Sequence, residues 1–280
     1  MTAPVSESVT GRPAPALRPY VERYTGYRQE GFAPGVHRGL PSPYLTFIIS
    51  LADPVDIAGM PDATQAPGAY QAFVGGLHAA PATIRHEGTQ VGVSLQLTPL
   101  GARALLGLPA GALAWSVVEL EDVLGPQAGE LVDRLAGAAT WTDRFAVLDA
   151  VLTRHVVEPV APAPETARAW HRLVASGGTL DVQALATEVG WSRRHLSERF
   201  RLELGLAPKV AGRVVRFERA RRLLERADRP ALADLAAACG FYDQAHLNRE
   251  WRELAGCSPT AWLAEELPSV QDGAVEVGAS

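Results

Sequence analysis

The chain is poor in cysteine and has no long apolar run. Two cysteines in 280 residues, Cys239 and Cys257, make neither a disulfide framework nor a four-ligand zinc site. They are expected to pack as thiols in a reducing cytoplasm. No stretch of about 18 apolar residues occurs, so no membrane span is expected. The opening "MTAPVSESVTGRPAPALRP" lacks the basic start and apolar core of a secretory signal and reads as a disordered leader. Gly-x-Ser-x-Gly, His-Glu-x-x-His and a phosphate-cradling glycine loop are all missing; neither an enzyme nor a cofactor is expected. His37, His78 and His86 fall in a β-rich region, but without a His-x-His and a following Glu they read as surface or core histidines, and no metal is expected.

What is present is an ordinary globular composition, 47% hydrophobic and 20% charged, with a length that suggests two domains. The formal net charge of −5 hides an asymmetry. Residues 1–164 carry 10 Arg against 15 Asp and Glu, whereas residues 192–229 carry 12 Arg and Lys against 5 acids. A concentrated basic stretch can meet a polyanion even in an acidic protein. Leu17–Tyr27 fits a short helix or an edge strand. From Arg38 to Pro99 the signals are β: "YLTFIISL" and "VGVSLQLTP", with a further strand at Ala82–His86 and Gly/Pro breaks between them. Short strands with frequent turns predict a small sandwich or barrel. Helical patterns follow at Leu100–Gly107, after Gly125-Pro126, and in "RFAVLDAVLTRHV", where Thr142 and Asp143 are candidate caps. "EPVAPAPE" reads as an extended linker between two independent cores, and everything beyond it to about Leu267 reads as helix.

The helical half repeats itself. "LATEVGWSRRHLSERF" (Leu185–Phe200) returns as "LAAACGFYDQAHLNREW" (Leu235–Trp251). Each copy has a short Ala/Leu helix, a Gly turn, an aromatic, a second amphipathic helix and a closing Gly-x-x-Pro, which is a helix-turn-helix. Gly190 and Gly240 suit the left-handed turn, and Ser192 and Asp243 suit the N-caps. Leu196 with Phe200, and Leu247 with Trp251, are four apart and form buried faces. The opposite faces carry Arg193, Arg194, Ser197, Glu198 and Arg201 in the first copy, and Gln244, His246, Asn248, Arg249 and Arg252 in the second. These groups, with Lys209 between the copies, can reach base edges or phosphates. The segment Lys209–Asp228 predicts a joining helix about 30 Å long, which matches the DNA repeat of about 34 Å. One chain can then read two successive major-groove segments.

Residues from about Leu180 to Glu266 resemble the DNA-binding domain of AraC/XylS-type transcriptional regulators. "LATEVGWSRRHLSERFR", "RFERARRLL" and "GFYDQAHLNREWRELAGCSPTAW" carry the resemblance. It implies that Arg194, Ser197 and Glu198 face bases, with Arg193 and Arg201 nearer phosphates, and that Gln244, His246, Asn248 and Arg249 read in the second unit. It implies a structural role for Arg216. The sequence departs from the family pattern at Tyr242, Leu247, Glu250 and Trp251, and an acidic base reader such as Glu198 would have to accept from cytosine N4.

The expectation is an α+β protein: a disordered leader (1–16), a cupin-like β-barrel with appended helices (17–157), a linker (158–165), an all-α double helix-turn-helix domain (166–267) and a tail (268–280). The expected partner is double-stranded DNA, with RNA polymerase, a small-molecule effector and a second copy of the chain as further partners, and no membrane. Three readings of the front half stay open: a small-molecule sensor, a ligand-free dimerisation or partner platform, and an enzymatic domain. A cavity of a few hundred Å³ with convergent polar groups would separate the first from the second.

Overall fold

The computed structural model describes residues 4–156, 162–270 and 274–276. Among these residues the front half holds two β-sheets. The larger combines Val5–Gly11 (β1), Val21–Glu30 (β2), Leu45–Ser50 (β4), Ala72–Gly75 (β7), Gln90–Leu97 (β9), Val117–Glu119 (β10) and Ala274–Glu276 (β11) in the order β10-β7-β4-β9-β2-β1-β11. The smaller combines Gly35–Gly39 (β3), Val55–Gly59 (β5), Gly68–Tyr70 (β6) and Ala82–His86 (β8) in the order β3-β8-β5-β6. Pairing is antiparallel throughout except that β11 lies parallel to β1. The α+β class and the cupin-like pairing of sheets agree with the sequence. The barrel is not closed, because the smaller sheet makes no ladder to the larger one.

The larger sheet is the middle layer. Alternation in β4 sends Leu45, Phe47 and Ile49 to one face, where they join the main core. Ile48 and Phe73 face the smaller sheet and meet Ile57, Met60 and Ala82. Helices Gly101–Leu106 (α1), Leu120–Leu124 (α2), Gln127–Gly137 (α3) and Trp141–His155 (α4) complete this half, with a 3₁₀ turn at Ala110–Leu113. The cap of α4 is Thr140 rather than Thr142: its hydroxyl accepts from the Asp143 amide at 3.1 Å, and Asp143 accepts in return from the Thr140 amide.

The leader and the segment after it depart from expectation. Residues 5–11 are a strand, fully registered on β2, and β2 lies between β1 and β9 rather than at an edge or in a helix. Glycine explains the arrangement. A Cβ on Gly11 would sit 2.4 Å from the Phe145 ring, and one on Gly26 would sit 2.3 Å from the Trp141 ring. The bare backbone lets α4 press its aromatics onto β1 and β2. Trp141 Nε1 also donates to Glu7 at 2.9 Å.

The back half has, among the described residues, seven helices: Pro164–Ala175 (α5), Val182–Glu188 (α6), Arg193–Leu204 (α7), Pro208–Leu224 (α8), Leu232–Ala238 (α9), Gln244–Ala255 (α10) and Pro259–Val270 (α11). Half of the expected linker, residues 158–161, lies outside the described residues, as does most of the expected tail; Pro164 already opens α5, and α11 runs on to Val270. The joining helix α8 has 17 residues, hence about 25 Å rather than 30 Å. It ends at Leu224 instead of continuing to Asp228. Its buried face, Val214, Val215, Phe217 and Leu224, packs between the two units, with Phe217 4.7 Å from Trp251. Cys239 is buried and Cys257 half-buried.

The two halves are not independent. Their apolar side chains form one continuous cluster from Val9 to Trp262. The 3₁₀ turn lies so close to the end of α7 that a Cβ on Gly111 would come within 2.3 Å of the Leu202 carbonyl oxygen. Arg103 of α1 donates twice to Glu203 of α7, at 3.0 and 2.9 Å, and Arg38 of β3 pairs with Glu265 of α11 at 2.5 Å. The Arg222 guanidinium lies 5.9 Å from the Tyr44 ring centre.

Candidate DNA-reading surface and effector pocket

The two helix-turn-helix units are built alike. Gly190 and Gly240 take φ of +73° and +75° at the turns, conformations that a side chain would strain. Ser192 accepts from the His195 amide at 3.2 Å, and Asp243 accepts from the His246 amide at 2.6 Å, so each second helix starts on the expected cap. Leu185, Leu196, Leu235 and Leu247 are fully buried, as are Phe200 and Trp251. Trp191 is half-buried, its ring edge-on to His195 at 4.5 Å.

Burial of these faces turns the opposite faces outward. Arg193, Arg194, Glu198, Arg201 and Lys209 are exposed in and after α7; Gln244, Arg249 and Arg252 are exposed on α10. Arg194 Nε donates to Glu198 at 2.9 Å, and this bond holds the Glu198 carboxyl below its ordinary range. The pair therefore presents itself as one unit, and freeing Arg194 means breaking the bond.

Three expected readers are less open. Ser197, His246 and Asn248 are half-buried. His246 Nδ1 accepts from the Tyr242 amide at 3.2 Å, its ring is edge-on to Phe241, and Nε2 lies 3.7 Å from Glu250. This ring braces the turn. The Asn248 carbonyl oxygen is buried without a hydrogen-bond partner, which points that end of the amide away from the surface.

The departures from the family pattern acquire physical roles. Glu250 accepts from Arg213 of α8 at 2.6 Å and so fastens α10 to the joining helix. Tyr242 is 92% exposed beside the start of α10. Arg216 lies 5.6 Å from the Phe241 ring centre, half-buried, in a structural position. Arg221 and Arg222 are engaged by Glu218 at 2.9 and 2.7 Å. Burial would raise the Glu218 carboxyl, but the two arginines outweigh it and lower it. Of the arginines on α8, Arg219 is exposed.

A second site lies between the sheets. A cavity of about 500 Å³ is lined by Ile48, Phe73, Val55 and Ile84, which belong to one apolar cluster, and by the polar Tyr27, Gln29, Gln90, Ser94, His37 and His86. Glu265 of α11 also lines it. The His37 and His86 rings are 5.9 Å apart. Burial and the neighbouring His86 push His37 down to about 4, and burial pushes the Tyr27 hydroxyl up, so both are uncharged at neutral pH. His78 is elsewhere, its Nδ1 2.5 Å from the Ala80 carbonyl oxygen. Among the described residues no three His, Cys, Asp or Glu side chains come together as a metal-holding group, and no helix is long and apolar enough to cross a membrane. The sequence held no signal for Glu265 at this pocket, since a helix of the other half brings it there.

Comparison with known proteins bears on both sites. Residues 185–265 match the model of a helix-turn-helix domain family, and residues 10–119 match a domain of unknown function (DUF6597). No curated protein matches the chain. The fold is shared with ToxT from Vibrio cholerae O395, at 10% identity and a TM-score of 0.52 over 86% of this chain and 96% of that one. It is shared as well with wild-type ToxT of Vibrio cholerae strain SCE256 bound to an unsaturated fatty acid, at 8% identity and a TM-score of 0.53 over 95% and 98%. The DNA-binding domain of AdpA, solved with a target DNA, is 30% identical over 39% of this chain and 98% of its own, with a TM-score of 0.36. Residues 185–265 thus carry an AraC-type helix-turn-helix domain.

Proposed function

We propose that the chain regulates transcription by laying α7 and α10 in successive major-groove segments of one duplex, and that a small molecule between the two sheets modulates this binding. The observation that carries the reading is the matched pair of exposed polar faces on α7 and α10, each fixed by the same cap and the same buried face. In this reading Arg194, Ser197 and Glu198, together with Gln244, His246, Asn248 and Arg249, address bases. Of these, Arg194, Glu198, Gln244 and Arg249 stand furthest into solvent. Arg193, Arg201, Lys209 and Arg252 address phosphates. The domain division at residues 158–165 belongs to the same proposal. A cavity of about 500 Å³ is of ligand size and favours a sensor over a packed platform. ToxT, which shares the fold, has been solved with an unsaturated fatty acid bound.

The test is a selection from randomised duplexes with the full chain, repeated with Arg249→Ala and Arg201→Ala. Arg249→Ala is expected to cost about 1–3 kcal/mol and to relax preference at one base position. Arg201→Ala is expected to weaken all sequences alike and to reduce the salt dependence by about one ion. Identical behaviour of the two variants would overturn the division of roles, and salt-independent binding would overturn the groove reading itself.

A further inference from the structure

The pocket between the sheets has a chemistry that limits what it can take. Its two flanks differ. Ile48, Phe73, Val55 and Ile84 make an apolar flank. On the other flank Gln29 and Gln90 are cross-strand partners whose side-chain amides lie 3.5 Å apart. Tyr27 is seated beside them over Gly92, where a Cβ would come within 2.5 Å of its hydroxyl. The His37 and His86 rings face this flank from the smaller sheet. Gln29, Gln90, Tyr27 and His37 donate and accept hydrogen bonds without carrying charge at neutral pH.

Among the described residues that line the pocket there is no Lys or Arg, and the carboxylate present is Glu265, already paired with Arg38 at 2.5 Å. An anionic ligand would lose its hydration facing that carboxylate, with no lining Lys or Arg to offset the loss. A cationic ligand would have to take Glu265 from Arg38. An uncharged ligand meets neither cost.

We infer that the pocket takes an uncharged small molecule, apolar along one flank and bearing hydroxyl or carbonyl groups along the other, and not a carboxylate such as a fatty acid. This rests on the reading of the pocket as an effector site. It separates this chain from the fatty-acid complex of the ToxT fold neighbour by the charge of the ligand.

Three probes with one carbon skeleton test it: (E)-4-(8-methylnaphthalen-1-yl)but-3-enoic acid, which is bound in a ToxT structure, the primary alcohol made by reducing it, and the corresponding primary amine. Equilibrium dialysis against the full chain at neutral pH measures all three. Two variants, Ile48→Trp from the apolar flank and Ser94→Phe from the polar one, each fill the cavity, and circular dichroism shows which of them keep the fold. The alcohol is expected to bind about tenfold or more tightly than the acid and the amine, a difference of about 1.4 kcal/mol, and to lose binding in a folded filled variant. Acid or amine binding as tightly as the alcohol, and lost in a filled variant, overturns the ligand class but leaves the effector site standing. Absence of binding by all three, or alcohol binding untouched by a folded filled variant, overturns the effector site and the class with it.

Discussion

Arg103→Ala is the most informative single perturbation of the seam between the halves. Glu203 is 5% exposed, although it lies on a reading helix whose outer face is polar. Its Oε2 accepts from Arg103 Nε and Nη2 at 3.0 and 2.9 Å, and its Oε1 accepts from Arg199 at 3.2 Å. Arg103→Ala removes the first two bonds and leaves a buried carboxylate with one cation. A hydrogen bond to a charged group contributes about 1.5–3 kcal/mol. The two bonds share one oxygen and one guanidinium, so their loss is not twice that, and about 2–4 kcal/mol is expected. Glu203→Gln keeps an oxygen that can accept and is expected to cost about half as much. Urea unfolding of the full chain, followed by fluorescence and by circular dichroism, gives all four corners of the double-mutant cycle. A coupling energy of about 2 kcal/mol is expected for residues in direct contact. A cost for Arg103→Ala within about 0.5 kcal/mol of zero, with coupling equally small, would mean that α1 and α7 are not held together in solution.

Gly26→Ala places a methyl group against the Trp141 ring, where a Cβ would lie 2.3 Å away, and is expected to destabilise by about 1–3 kcal/mol through overpacking, read as a lower unfolding midpoint. Gly129→Ala is the opposite case: the position is helical, exposed and open, and gaining about 0.5–1 kcal/mol is expected from helix propensity, read by the same assay. His37 and His78 both have folded values near 4 against 6.5 unfolded. Their neutral forms are the folded ones, so their contribution is complete above the unfolded value and is lost as pH falls from about 6.5 towards 4, by at most about 3 kcal/mol each. His37→Gln is expected to flatten the stability-against-pH curve in that window, and an unchanged slope would show that the ring is not buried neutral.

How much of this was legible depends on where the information sits. The second half declared itself because Leu185, Gly190, Leu196 and their counterparts repeat, and the repeat fixed turns, caps and buried faces together. The strand at Val5–Gly11 did not. Its buried positions are Val9 and Gly11, and a strand of Ser, Glu, Thr and Gly shows no apolar alternation. It is held by Gly11 and Gly26 yielding space to α4, a contact with residues more than a hundred positions away. Among the expected readers, His246 and Asn248 look polar in sequence, yet the burial of Phe241 and the pairing of Glu250 with Arg213 draw them inward. Arg103 with Glu203, and Arg38 with Glu265, are pairs between halves. No local pattern marks such residues, because an ion pair across 100 or more positions leaves no periodic trace.

The seam touches the two reading units unequally, and this shapes what a ligand can do. The front half grips α7 through Arg103 and the 3₁₀ turn, and reaches α11 through Arg38. At α10 it meets the closing glycine, where a Cβ on Gly256 would lie 3.4 Å from Pro81. A shift of the front half therefore acts directly on α7, on α11 and, where Tyr44 meets Arg222, on α8, while α10 follows α8 through Glu250 and Arg213. Glu265 lines the pocket and belongs to α11, so a ligand there is in contact with the DNA-binding half without a relay through the sheets. A ligand shifts the balance between two arrangements only by its difference in affinity for them. Moving a population from one extreme to the other needs about 5.5 kcal/mol, more than one rim pair and a few hydrogen bonds supply. Coupling of about 1–3 kcal/mol is the usual scale, and under the proposed function a ligand of that scale would grade the affinity of α7 for its groove segment while α10 keeps the chain on the DNA.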